Sequence, residues 1–171
     1  QERCGARRER MRTVYAGVDA ARFARAGEAA AAGAAEGVGS LAAGSGAAGD
    51  PTLAWVGRVD PAKDLVALLH AFRAIRAAEP RARLRIFHPR ARGERATAYL
   101  GHCRALAAQF FPDEAADAYA VGESAVTFEE IGSPGAPELA DAYAAGDVVL
   151  LSSSAEGFPL SLVEAMLCGR P

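Results

Sequence analysis

The sequence predicts an α/β fold: a Rossmann-like parallel sheet with helices on both faces. Three observations carry this. Four short runs of strand length lie beyond Asp50. Longer stretches between them place apolar residues at helical spacing. Two of the runs, 52–57 (TLAWVG) and 147–151 (DVVLL), are apolar almost throughout, as expected of strands covered on both faces.

The first run stops at Gly57. Asp60-Pro61 reads as a helix start, with Asp60 at the N-cap and Pro61 at the first helical position, where a missing N–H costs nothing. Leu65, Leu68, Leu69, Phe72 and Ile75 continue that helix as one stripe, and Glu79-Pro80 ends it. Residues 83–87 (RLRIF) alternate and form the second strand. Residues 96–110 form a helix with Tyr99, Cys103, Leu106 and Phe110 on one face. A third strand is expected at 125–128 (AVTF), a short helix at 137–144, the fourth strand at 147–151 and a last helix at 160–167.

Residues 26–50 are nearly all Ala, Gly, Ser and Glu, with one leucine and no aromatic residue. Such a segment buries too little apolar area to offset its ordering entropy, so a flexible linker or insertion is expected. The expected organisation then has 24–50 as a linker between 1–23 and a ligand-binding segment, 51–171.

The 171 residues suit one domain with a core. The formal charge of −2 gives no long-range attraction for nucleic acid. The arginines between Arg7 and Arg12 read as a solvated local cluster. Three cysteines and three histidines lie scattered without metal-ligand or redox spacing, so no metal is expected and the thiols are expected to be reduced. There is neither an apolar run of membrane-spanning length nor a basic-then-apolar leader, which points to the cytoplasm.

In parallel sheets ligands bind at the carboxyl ends of the strands. Two segments there carry chemistry. Gly57 and Arg58 follow the first strand, and Lys63 falls in the first turn expected of the next helix, where the helix dipole disfavours a cation. A bound pyrophosphate would resolve that conflict; a solvated lysine is the plainer alternative. The second segment follows the fourth strand. Glu156 stands in the loop and Glu164 inside the following helix. Gly157 permits close backbone approach, and Ser161 and Leu162 offer N–H groups at the helix start. Two carboxylates for hydroxyls and backbone donors for phosphate suit a nucleotide sugar. A loop glutamate and a helix-surface glutamate, both solvated, are the alternative.

These residues resemble a known family. GRVDPAK (57–63) followed by EGFPLSLVEAMLCGRP (156–171) is similar to glycosyltransferase family 4, retaining enzymes of the GT-B fold, and VYAGVDAARF (14–23) is similar to the stretch that ends their N-terminal domain. Pro61-x-Lys63-Asp64 and Tyr99-x3-Cys103 resemble the PelF-like subgroup, whose members use UDP-glucose for polysaccharide synthesis. The resemblance implies a chain carrying the C-terminal, donor-binding half, with 1–23 as the remnant of the N-terminal acceptor domain and 51–171 as a nucleotide-sugar-binding domain truncated at its C-terminus. Arg58 and Lys63 would contact the donor pyrophosphate. Glu156 would bind the transferred sugar and Glu164 the ribose. Gly57, Gly157, Phe158, Pro159 and Leu160 would line the site, with Ser161 and Leu162 on the phosphates. It also implies catalysis without a metal or other cofactor, a UDP-linked donor, and a glycan or lipid-linked acceptor held by a further domain.

His88 stands where the family has glycine, and is expected to point outward. The missing acceptor side implies that 1–171 alone does not turn over substrate. A nucleotide-sugar epimerase of the same architecture and a non-catalytic nucleotide-binding module are the alternative functions.

Overall fold

A computed structural model describes residues 17–36, 50–112 and 125–171. The basic cluster 7–12, Cys4 and the later part of the expected linker, 37–49, lie outside them. Among the described residues the elements are α1 (Ala20–Glu36), β1 (Thr52–Val56), a 3-10 turn (Pro61–Lys63), α2 (Leu65–Ala78), β2 (Arg83–Pro89), α3 (Glu94–Phe110), β3 (Val126–Ile131), α4 (Leu139–Ala144), β4 (Val148–Leu150) and α5 (Leu160–Leu167).

The four strands form one sheet in the order β3-β2-β1-β4, and every pairing is parallel. The chain steps outward from β1 to β2 to β3, then crosses back to place β4 on the other side of β1. The carboxyl ends of β1 and β4 therefore flank the point where strand order reverses. Crossover loops diverge there and leave a crevice.

Two cores of different texture cover the sheet. On one face Leu53, Trp55, Leu84, Ile86, Val126 and Phe128 pack on Leu65, Leu68, Leu69 and Phe72 of α2 and on Leu100, Cys103 and Ala107 of α3. The other face is built from small residues: Ala54, Val56 and Val149 meet Ala140, Ala142 and Tyr143 of α4 and Ala165 of α5. The alanine of this sequence is used here to bring backbones together. A Cβ on Gly146 would lie 2.6 Å from the Cβ of Ala54. Arg85 and Glu129 make a bidentate pair at 2.7–2.8 Å between β2 and β3, with Thr127 donating to the same carboxylate. Two forked hydrogen bonds suit the planar guanidinium and offset the desolvation of both charges.

Three expectations need correction. Residues 24–36 do not form a linker: they belong to α1, which packs on α4 and α5. The alanine run is a strong helix former, and Phe23 supplies the apolar anchor that composition obscured. Phe23 is buried edge-on against Tyr143 at 5.9 Å. Gly27 lets the helix touch the end of α5, where an added Cβ would sit 2.6 Å from the Cys168 carbonyl oxygen.

Second, the helix expected from Asp60 onward is two pieces. Asp60 caps only the 3-10 turn, accepting from Ala62 N at 2.9 Å. Asp64 then adopts φ 47, ψ 57, and its side chain caps α2 by accepting from Ala67 N at 3.0 Å. Aspartate tolerates this left-handed backbone and prefers the N-cap, so the local chemistry overrides the apolar stripe. Third, β3 runs on to Ile131 and β2 to Pro89, because Glu129 and Glu130 pair in register with Phe87 and His88.

Gly27→Ala separates docking from propensity. In an undocked helix it would stabilise by about 1 kcal/mol. Against a fixed carbonyl it is expected to destabilise by about 1–3 kcal/mol. Urea unfolding decides between these, and a gain in stability would show that α1 is not seated.

Candidate active site

The crevice at the strand-order reversal is an open cleft of about 970 Å³. One wall comes from the loops after β1 and β4: Gly57, Arg58, Lys63, Glu156, Phe158, Leu160 and Ser161 line it. The opposite wall is the β3–α4 loop, residues 131–139, with Tyr143 and Val56 deeper and Arg22 of α1 alongside. Arg22 reaches Glu138 at 3.0 Å.

The first wall is built by cross-bonding two loops far apart in sequence. Ser152 Oγ donates to the Lys63 carbonyl at 2.7 Å. Ser154 donates to the Ala62 carbonyl through its N–H at 3.0 Å and its hydroxyl at 3.2 Å. The Lys63 ammonium is ion-paired to Glu156 Oε1, which also accepts from Ser153 Oγ at 2.7 Å. The side chains of Lys63 and Glu156 are both about a quarter exposed, at 24% and 23%. They are neither buried structural ions nor free surface charges. The Lys63 hydrogen bond, and then that of Ser153, hold the Glu156 carboxyl below its ordinary range.

Lys63 is thus not a cation in the first turn of a long helix. It ends the 3-10 turn, outside α2, and Glu156 supplies the anion that its position lacked in the sequence. The two groups expected to serve different parts of a ligand meet each other. The ammonium has three donors, so it can keep Glu156 and still serve an anion.

Gly57 is needed for packing: a Cβ there would lie 2.9 Å from the Trp55 indole. Trp55 is buried in the core, so the loop carrying Arg58 rests directly on a rigid ring. Gly157, Pro159, Leu162 and Glu164 are not among the residues lining the cleft. The Leu162 N–H, expected to face a ligand, bonds to the Pro159 carbonyl at 3.0 Å. With Pro159 at the N-cap and no side-chain acceptor, that carbonyl takes up the first-turn donors. Glu164 lies one step behind the cleft, where Oε2 accepts the Tyr143 hydroxyl at 2.6 Å. Burial, then the Glu164 carboxylate, raise the Tyr143 pKa, so the phenol stays a donor.

His88 does not point outward. It continues the Leu84-Ile86 row into the sheet face beneath α3 and is 2% exposed. Its Nδ1–H donates to the Pro89 carbonyl at 3.0 Å, which leaves Nε2 as a buried acceptor without a partner. Burial lowers its pKa, so the ring is neutral. It does not line the cleft.

Sequence reasoning missed Tyr143, Arg22, Ser152, Ser153 and Ser154. The serine run had a signal, since three small hydroxyls directly follow a strand on the binding edge. Tyr143 had none. The 131–139 wall falls between the expected third strand and the short helix expected at 137–144, and Gly132 and Gly135, at φ 75 and 81, punctuate it. Among the described residues no three His, Cys, Asp or Glu side chains group as metal ligands, and no helix is long and apolar enough to cross a membrane.

Residues 50–171 match a family model described as Glycosyl transferases group 1. No curated protein sequence matches the chain. Among solved structures, a UDP-forming α,α-trehalose-phosphate synthase from Burkholderia xenovorans is similar with a TM-score of 0.64 at 16% identity, over 89% of this chain and 33% of that one. A trehalose-6-phosphate synthase from E. coli bound with UDP-2-fluoro glucose gives 0.62 at 15%, over 89% and 33%. A UDP-forming synthase from Burkholderia vietnamiensis gives 0.62 at 15%, over 89% and 34%. These likenesses show the fold, a Rossmann-like half of the GT-B architecture. The chain spans about a third of the length of those proteins.

A carboxyl held down by a neighbouring cation keeps its charge to lower pH. The Lys63–Glu156 pair contributes above the unfolded carboxyl pKa and is lost as pH falls through the depressed folded value. In an NMR titration the Glu156 carboxyl carbon is expected to titrate below the ordinary glutamate midpoint of about 4.3 and to return toward it in Lys63→Ala. A midpoint unmoved by Lys63→Ala would show that the pair does not persist in solution.

Proposed function

The chain belongs to the group 1 glycosyl transferases, and on that premise we propose that it carries the donor site of a retaining enzyme that moves a hexose from a UDP-sugar to a glycan acceptor. The observation that carries the reading is the Lys63–Glu156 pair at the strand-order reversal. It joins a phosphate-seeking cation to a hydroxyl-seeking carboxylate at one point, as the junction of a nucleoside diphosphate and a sugar requires.

In this reading Arg58 and Lys63 hold the pyrophosphate. As the bond from sugar to phosphate breaks, charge grows on the leaving nucleotide, and fixed cations stabilise that charge more than they stabilise the ground state. They take the place of a metal ion. Glu156, anchored by Lys63 and Ser153, accepts hydrogen bonds from sugar hydroxyls and orients the anomeric carbon. Tyr143 occupies one oxygen of Glu164 and leaves the other for a ribose hydroxyl. Ser161 lies on the phosphate side, and Phe158 and Leu160 give the sugar an apolar border. Two solved structures of the same fold support a uridine donor: one protein is described as UDP-forming and another is bound with a fluorinated UDP-glucose. The motifs at 61–64 and 99–103 favour the PelF-like subgroup and hence UDP-glucose. In this reading a further domain supplies most of the acceptor's contacts.

Calorimetric titration with UDP tests the site. A lost charged hydrogen bond costs about 1.5–3 kcal/mol, so Lys63→Ala is expected to weaken affinity about tenfold or more. Glu164→Gln is expected to weaken UDP as well. Glu156→Gln releases Lys63 toward phosphate, so UDP affinity holds or rises while sugar discrimination falls. Unchanged affinity in Lys63→Ala, or equal loss in both glutamate variants, contradicts these roles.

A further inference from the structure

We propose that Arg90 and Arg92, with Arg58, form a second anion site beside the donor cleft, and that it receives a phosphate or carboxylate group of the acceptor. This rests on the donor reading for what occupies the neighbouring cleft.

A separate hollow of about 710 Å³ opens on the same carboxyl edge of the sheet. Arg58 enters it from the loop after β1, and Arg90 and Arg92 from the loop after β2. All three are exposed, and among the described residues none has a hydrogen-bond or ion-pair partner. Several other described arginines are engaged: Arg22, Arg81, Arg83 and Arg85 pair with acids, while Arg76 and Arg170 donate to carbonyls. Three exposed guanidiniums converging on one hollow concentrate positive charge at the ligand-binding edge of the sheet.

A second feature points the same way. The 17-residue α3 begins here, with Arg92 just before it and Ala96 in its first turn, both lining the hollow. Its N-cap is Gly93, with no side-chain hydrogen bond to the first-turn N–H groups. Free N–H groups and the positive helix end favour an anion and add to the arginines. Two acids stand nearby. Asp60 lines the hollow, but its Oδ1 already accepts the Ala62 N–H, and Glu94 occupies the first turn of α3. The cations still exceed them.

The hollow shares Arg58, Pro89 and residues 131–134 with the donor cleft. An anion held there lies next to the donor phosphates, with Arg58 between. A nucleoside diphosphate in the cleft uses Arg58 and Lys63 and leaves Arg90 and Arg92 unanswered. The other reactant must also approach this edge, so the second anion is assigned to it. Guanidiniums accept phosphate and carboxylate with the same fork, so the site defines the charge and not the group.

The test uses the full 171-residue chain saturated with UDP, titrated separately with inorganic phosphate and with glucuronate. The amides of Glu94 and Ala96 and the Arg58 side-chain resonance are followed by NMR. Expected are saturable shifts with at least one of the two anions, weakened about fivefold or more in Arg90→Gln/Arg92→Gln. UDP affinity in the same variant stays within about twofold. The anion that saturates identifies the source. Non-saturable shifts with both anions, or shifts unchanged in the double variant, overturn the proposal. So does a parallel loss of UDP affinity, which would place both arginines in the donor site. Should the unsubstituted chain not bind UDP, the donor reading fails by itself, and the same anion titrations without UDP still decide the arginine site.

Discussion

The bonding of the 3-10 turn to the loop after β4 is the constraint on which the site depends. Neither segment has a geometry of its own that would place Lys63 opposite Glu156. The turn is three residues long and ends at a left-handed aspartate. The loop after β4 holds three serines and no regular structure. Ser152 and Ser154 bond to the turn's carbonyls, so the backbones are registered before the side chains meet. The Lys63–Glu156 pair then adds little stability of its own, as befits a pair near solvent. What it supplies is position: a cation and a carboxylate held in contact at the point where the crossover loops part.

The two sheet faces serve this arrangement differently. Large residues behind α2 and α3 make a rigid backing, with Trp55 directly beneath Gly57. Small residues behind α4 and α5 allow those helices to approach closely, which brings Tyr143 to Glu164 and the start of α5 to the cleft. The N-terminal helix closes that side. Phe23 lies against Tyr143, so a segment that composition marks as a spacer supports the tyrosine that orients Glu164.

Legibility in the sequence followed the range of the interaction that decides each feature. Strands β1 and β4 are fixed by unbroken apolar runs, and the sheet, its helices and the binding edge followed from them. The two candidate segments, 57–63 and 156–164, were legible because glycine, lysine and glutamate sit unusually at strand ends. The ends of β2 and β3 were not, since Glu129 and Glu130 look like loop residues until Arg85 and Ser133 partner them. The break at Asp64 was hidden because the stripe from Leu65 to Ile75 continues helical spacing across it. Helix α1 was hidden because its docking depends on Cys168 and Tyr143, more than 100 residues away. His88 faces inward because strand alternation, extended by two residues, places it beside Ile86's row. For the strand ends and α1 a tertiary partner overrode a local signal, whereas at Asp64 the cap chemistry overrode the apolar stripe.

The proposed function requires a nucleoside diphosphate to sit where the loops after β1 and β4 meet. The most direct measurement is amide chemical-shift mapping of the chain during titration with UDP. Expected are saturable shifts concentrated at Gly57, Arg58, Lys63, Glu156 and Ser161, with the amino ends of the strands unaffected. Saturable shifts confined to another surface, or none at all, would contradict the assignment.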